Sequence, residues 1–373
     1  MIKNQEKLTA IVENYANTTI REVATQYDAS EQFPQAEWDY LVNLGILYMV
    51  VEPSESLIPS YKAFIRLIRI ISKQFPALGS ILLTQASYAI WPLFQFGTAA
   101  QKARYLEPLL KGEIFGSFAA NEIDSGSNLQ QMETIALETA EGWIITGEKA
   151  FISNAPISTL FSVVSKTRSL KGEEGFGVFL IDRDTEGLTV GPLENKMGIK
   201  SLPVAGVSLK SVFVPHTALL GDVMQGLKQV QSVLNRNRLA ISAQAIGIAQ
   251  GALDRGLEYV SFERNIGKRL IDLKTNQYRL ADVQTKILAT RAFLLQTLDE
   301  APDDTQRVAM IKLAASDLAI DVTETIINVT GGYGYMRNNE IERFVRDAKI
   351  TAIYGGSSDT QRYIIAEPWR LKS

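Results

Sequence analysis

Cysteine is absent from the 373 residues. That excludes disulfides, thiolate catalysis and cysteine-based metal sites. Histidine occurs once, as His216 after Val214 and Pro215, so a multi-histidine metal centre is excluded. The residue reads as part of a loop. No excess of either charge is present: 38 Lys and Arg face 41 Asp and Glu, for a net charge of −3. A nucleic-acid partner has no electrostatic support in that balance. The stretch from Phe64 to Ile71 is apolar but broken by Arg66 and Arg69, and no run reads as membrane-spanning. The segment MIKNQEKLTAIVENY is polar and lacks a signal-peptide core. A cytoplasmic protein, with no membrane or nucleic-acid partner, is the expectation. A GxGxxG turn between strand and helix is missing, as is GxxxxGK[ST], which argues against a Rossmann or P-loop nucleotide site.

What is present suits two or three packed domains. Apolar residues make up 46% and charged residues 21%, ordinary for a globular chain. Residues 1–115 read as successive helices. Leu8, Ile11, Val12 and Tyr15 recur at helical spacing, as do Phe64, Leu67, Ile68 and Ile71. Ser80 to Phe96 reads as a central buried helix kinked at Pro92. Tyr88, Trp91 and Phe94 on it read as core. Over residues 116–222 the period becomes two, with strands expected at Trp143–Gly147, Leu160–Val164, Gly177–Ile181 and Val207–Phe213. They imply an antiparallel β-barrel or sandwich. In 223–373 the helical period returns, over 227–264, 275–299 and 305–329, with an exposed turn at 299–304. The class is α+β, mainly α: an N-terminal helical domain, a central β-barrel or sandwich, and a C-terminal helical bundle.

Four stretches could carry chemistry. Asn121-Glu122-Ile123-Asp124-Ser125-Gly126-Ser127-Asn128 is polar and small, able to offer N–H and O–H groups to a phosphate or ring oxygen, or to make an ordinary turn. Trp143 to Asn154 reads as a hairpin, in which Phe151 is either strand core or a ligand contact. Asn235, Asn237 and Arg238 share a helix, where the arginine also reads as a plain helix cation. Gly331 to Arg362, GGYGYMRNNEIERFVRDAKITAIYGGSSDTQR, joins two glycine turns by a charged helical segment. Either turn alone is equally a helix end.

The last stretch resembles, in register, the C-terminal signature of the acyl-CoA dehydrogenase family of flavoproteins, QxxGGxGYxxExxxERxxRDAKxxxIYEGTSExQR. Trp143 to Asn154 is similar to that family's WxITGxKxWITN, Asn121 to Asn128 to its TEPxAGSD, Gln101 to Glu113 to its QKxxYLxxLxxGE, and Lys196 to Pro215 to its KMGxRxSPxxxLxFxxVxVP. The resemblance implies the helix–β–helix fold with a C-terminal four-helix bundle, and an FAD cofactor. It assigns cofactor contacts to Asn121, Ser127, Phe151, Ile152, Ser153, Lys274, Asn328, Gly331, Gly332, Ser357 and Asp359. The pyrophosphate-binding arginine of the family's ERxxFG falls on Glu263, with Arg264 one residue later. Substrate contacts are implied at Ser127, Asn235, Arg238 and Gly356.

One departure matters most. The family places its catalytic glutamate after the IY pair, which here is Gly355; the alternative carboxylate position, before the helix arginine, is Asn237. Glu122, Asp124 and Arg238 remain as weak catalytic candidates, with Glu263 on the pyrophosphate side. The implied activity is α,β-oxidation of an acyl thioester carried by coenzyme A or acyl carrier protein, with a flavoprotein or oxygen as electron acceptor. A flavin-dependent oxygenase and a catalytically silent flavin-binding scaffold are the alternatives. A homodimer or homotetramer is implied, because the family shares its cofactor between subunits.

Overall fold

The apolar spacing in the first third produces seven α-helices among the described residues. A computed structural model describes residues 5–51, 61–125, 128–222, 224–263 and 267–370. The helices are α1 (Gln5–Tyr15), α2 (Arg21–Ser30), α3 (Gln35–Asn43), α4 (Tyr61–Ser72), α5 (Pro76–Thr84), α6 (Trp91–Phe96) and α7 (Ala99–Leu110). Phe64, Leu67, Ile68 and Ile71 all face the core. A π-helical turn, Gln85–Ile90, joins α5 to α6, so Pro92 lies in the first turn after the irregularity rather than breaking a regular helix. The run Pro76–Phe96 is long and apolar enough to span a bilayer, which corrects the expectation that no run is; 89% of its apolar window is buried inside the protein. Gln85 leaves this helix to bind the next layer: it accepts from the Gly116 amide and donates to the Leu109 and Ile114 carbonyls.

The middle third is one curled seven-stranded sheet: β1 (Gly116–Ala119), β2 (Ile135–Glu138), β3 (Gly142–Ser153), β4 (Leu160–Arg168), β5 (Glu174–Asp182), β6 (Leu188–Leu193) and β7 (Val204–Pro215). It is mixed, not wholly antiparallel, because β1 and β2 lie parallel to β4 along one edge while β5 pairs with its other edge. Trp143–Asn154 is not a hairpin either. β3 runs straight through Gly147 as a 12-residue strand, with its register to β7 shifted at two irregularities. Phe161, Val163, Phe179 and Ile181 pack in a second core beside Trp143 and Ile145.

The last third holds α8 (Gly226–Ser261), α9 (Lys274–Glu300) and α10 (Thr305–Thr330), then α11 (Gly332–Tyr335), α12 (Ile341–Thr351) and α13 (Ser358–Arg370). Asp304 caps α10, accepting from the Gln306 and Arg307 amides, which ends the turn expected there. α8 packs on α4, α5, α10 and α12 and joins the two helical regions. The loop after β6 docks on α12. A Cβ on Gly198 would stand 2.5 Å from the Arg346 carbonyl, so only glycine allows this approach. The neighbouring Ile199 amide donates to the Asp347 carboxylate at 2.6 Å. Arg346 then bridges Asp28 of α2 and Glu342 of its own helix, both at 2.6 Å.

Candidate active site

A cavity of about 600 Å³ opens where β3, α8 and the end of α12 meet. On the β side it is walled by Asn121, Phe151 and Ser153; on the helical side by Tyr88, Leu234, Arg238, Ile350, Tyr354, Gly355, Gly356 and Thr360; the 194–199 loop forms its rim. Phe151 has φ 58 and a 60% exposed ring, whereas Ala150 and Ile152 beside it are buried. An aromatic face left open in a strand with buried neighbours is a stacking surface. Ser125, in the loop just beyond, has a buried hydroxyl with no partner. The open aromatic face and the apolar far wall together fit a flat ring system.

Glu122 is not available as a base. Its carboxylate accepts from the Glu133 and Thr134 amides, the Thr134 hydroxyl and Lys149 Nζ at 2.8 Å. Burial would raise its pKa, but these donors outweigh burial and the net shift is downward. Lys149 is fully enclosed and burial pushes it down to about 8, against the pull of Glu122. This ion pair ties the 121–125 loop to β3. Asp124 is exposed and off the cavity wall, as is Glu263. Among the described residues the other carboxylate on the wall is Glu194, exposed at the rim.

The floor has a different character. Arg238 is 3% exposed; its Nε donates to the Gly355 carbonyl at 2.9 Å and its Nη1 to Asn235 Oδ1 at 3.3 Å. Burial pushes it down to about 10, so it remains a cation at neutral pH. Asn237 Oδ1 accepts the Tyr88 hydroxyl at 2.9 Å, and burial raises the pKa of that tyrosine, so it is no base. Gly355 adopts φ +66, and a Cβ there would lie 2.7 Å from Ile241 Cδ1 and 3.2 Å from Asn237 Oδ1. Behind the floor, the fully buried Lys312 of α10 donates to the Gly356 carbonyl at 2.8 Å.

The residues singled out from the sequence therefore separate. Asn121, Glu122, Phe151, Ser153, Arg238, Gly355 and Gly356 line one cavity. Ile152 turns into the β core. Asn235 is bound to Thr305 Oγ1 at 2.9 Å and anchors α10 instead of lining the wall. Ser357 bonds Thr360 as the start of α13, and Asp359 pairs with Arg362 at the surface. Lys274, Asn328, Gly331 and Gly332 lie exposed and away from this cavity, and a Cβ on either glycine would meet nothing within 4 Å. Ser127 and Arg264 lie outside the described residues. Sequence reading missed Lys149 and Lys312; the TGEK stretch of β3 contained a signal for the first, and the second is one lysine on a long amphipathic helix. Tyr88, read as core, lines the cavity and donates its hydroxyl to Asn237 Oδ1.

Three family models match in tandem: acyl-CoA dehydrogenase N-terminal domain over residues 3–113, middle domain over 117–212 and C-terminal domain over 224–369. The mitochondrial short-chain specific acyl-CoA dehydrogenase of Mus musculus is 32% identical over 370 residues, 98% of this chain and 89% of that protein. The caffeyl-CoA reductase–Etf complex subunit CarC of Acetobacterium woodii is 28% identical over 351 residues, 92% of each. The butyryl-CoA dehydrogenase structure from Megasphaera elsdenii superposes with a TM-score of 0.92 at 28% identity, covering 99% of both chains.

Proposed function

This chain belongs to the acyl-CoA dehydrogenase family, and we propose that it is an FAD-dependent oxidoreductase acting on the Cα–Cβ bond of an acyl thioester. The observation that carries the reading is the single cavity walled by Phe151 and Ser153 on one side and by Tyr354, Gly355 and Arg238 on the other. Asn121, Phe151 and Ser153 would hold the flavin; when bound, FAD supplies the two-electron acceptor. The chain's own residues bind and orient. Phe151 offers the stacking face, and the apolar Leu234 and Ile350 exclude water from the acyl chain. Arg238 places a desolvated positive charge on the cavity wall beside Gly355, where it can meet negative charge on the bound thioester. Such a field reduces the demand on the base, consistent with Gly355 and Asn237 at the positions where the family carries one.

Coenzyme A is the favoured carrier, since the mouse relative is named for acyl-CoA and the Acetobacterium woodii relative for caffeyl-CoA. The latter is also named as part of an Etf complex, which supports a flavoprotein electron partner. A homodimer or homotetramer belongs to the same proposal. Tyr278, Leu288, Tyr363 and Trp369 of the C-terminal helices are more than half exposed, apolar positions that a second copy could cover. The cofactor contacts expected at Asn328, Gly331 and Gly332 would then be made toward that copy.

The deciding experiment is anaerobic addition of short and medium acyl-CoA thioesters to the flavin-loaded protein, read at the flavin absorbance. Bleaching supports dehydrogenation. Flavin that stays oxidised with every thioester, yet consumes oxygen once reduced by another donor, replaces it with an oxygenase. That second reading is favoured by one observation: no unengaged carboxylate lies beside Gly355 among the described residues.

A further inference from the structure

The floor of the cavity carries positive charge that the described protein does not neutralise. Arg238 lines the wall, is almost fully buried and forms no ion pair among the described residues; its contacts are the Gly355 carbonyl and the Asn235 amide oxygen. Lys312 stands behind the Gly356 carbonyl, wholly buried and likewise without an ion pair. Burial, and then repulsion from Arg238, pushes Lys312 down to about 7. Beside them, Asn237 Nδ2 is buried with no acceptor, while its oxygen is taken by Tyr88. A buried cation without a counter-charge and a buried amide without an acceptor both oppose folding unless something answers them.

The described chain does not provide the answer. Glu122 is committed to Lys149, and Glu194 sits exposed at the rim. Position 355 is glycine and supplies no side chain. The missing negative charge must enter through the mouth of the cavity. We infer that the acyl group taken by this cavity carries its own carboxylate, which lies against Arg238 beside Gly355; the substrate is the thioester of a dicarboxylic acid. The inference rests on the acyl-thioester reading and adds the charge on the chain. A neutral acyl chain would leave Arg238 and the Asn237 amide as they stand.

The test compares a carboxylate with the amide of the same shape. Succinyl-CoA and glutaryl-CoA are titrated by calorimetry into the flavin-loaded protein, each against its monoamide, and flavin absorbance is recorded separately. A carboxylate meeting a desolvated guanidinium should bind about 10- to 100-fold tighter than the amide. Arg238→Met should bring the two within about twofold. Equal or tighter binding of both monoamides to the unaltered protein overturns the inference without any variant, as does failure of all four thioesters to bind. Carboxylate preference without bleaching upholds the inference and removes the dehydrogenase reading. Bleaching by butyryl-CoA with no carboxylate preference does the reverse.

Discussion

Gly355→Glu places a carboxylate where the sequence resemblance puts a catalytic base, and the local geometry sets its cost. At φ +66 a side chain costs about 1–2 kcal/mol relative to glycine. The new Cβ would stand 2.7 Å from Ile241 Cδ1, the far end of a flexible side chain. Turning that isoleucine off its rotamer adds about 1 kcal/mol. Against this, a carboxylate that reaches Arg238 gains a charge-assisted hydrogen bond worth about 1.5–3 kcal/mol. The variant should therefore remain folded, with a net change within about 2 kcal/mol. A positioned base accelerates proton removal by about 10²–10⁴, so flavin reduction by a thioester should quicken by that factor. Stopped-flow absorbance under nitrogen measures it. Gly355→Ala is the control, since it carries the strain without the carboxylate. If Gly355→Glu folds, retains flavin and reduces it no faster than Gly355→Ala, the reasoning fails, because proton removal at this position does not limit the reaction.

Three further outcomes are expected. Lys312 titrates near 7 in the folded chain against an ordinary 10.5. Between these values the unfolded state binds the proton and the folded state does not, so stability should rise with pH over that window, by on the order of 5 kcal/mol at most; Lys312→Met should flatten the rise in denaturant melts run from pH 6.5 to 10. Lys149→Met strands the buried Glu122 carboxylate and should cost about 3–5 kcal/mol, with flavin lost from the loosened 121–125 loop; an unchanged melting temperature would contradict the assigned pairing. Phe151→Ala removes a ring that is 60% exposed, so stability should move by less than about 0.5 kcal/mol, while flavin retention on gel filtration should fall sharply.

The fold was legible where periodicity is strong. α8, α9 and α10 lie within a few residues of the expected stretches because long amphipathic runs with clear stops define themselves locally. β1, β2 and β6 were not legible. Each is only four to six residues long, and β1 is held by a partner distant in sequence, Gly116 by Leu160. Parallel pairing of β1 and β2 with β4 leaves no hairpin turn to mark it. Within the site, Phe151 could be named but not placed. Core or ligand face depends on a positive φ that its strand acquires only where the register to β7 slips.

Sequence by itself determined the order helix, sheet, helix, the exclusion of thiol and multi-histidine chemistry, and the absence of a carboxylate at positions 355 and 237. Those are properties of residue type and local spacing, which survive in any conformation. Tertiary structure alone decided which carboxylates are free. Glu122 and Glu194 look alike in the sequence; one is bound by Lys149 and two amides, the other is solvated at the rim. It also decided that Arg238 and Lys312, 74 residues apart, come to one buried floor with no described counter-ion. Desolvation and Coulomb energies depend on distance and burial, and neither exists until the chain has packed.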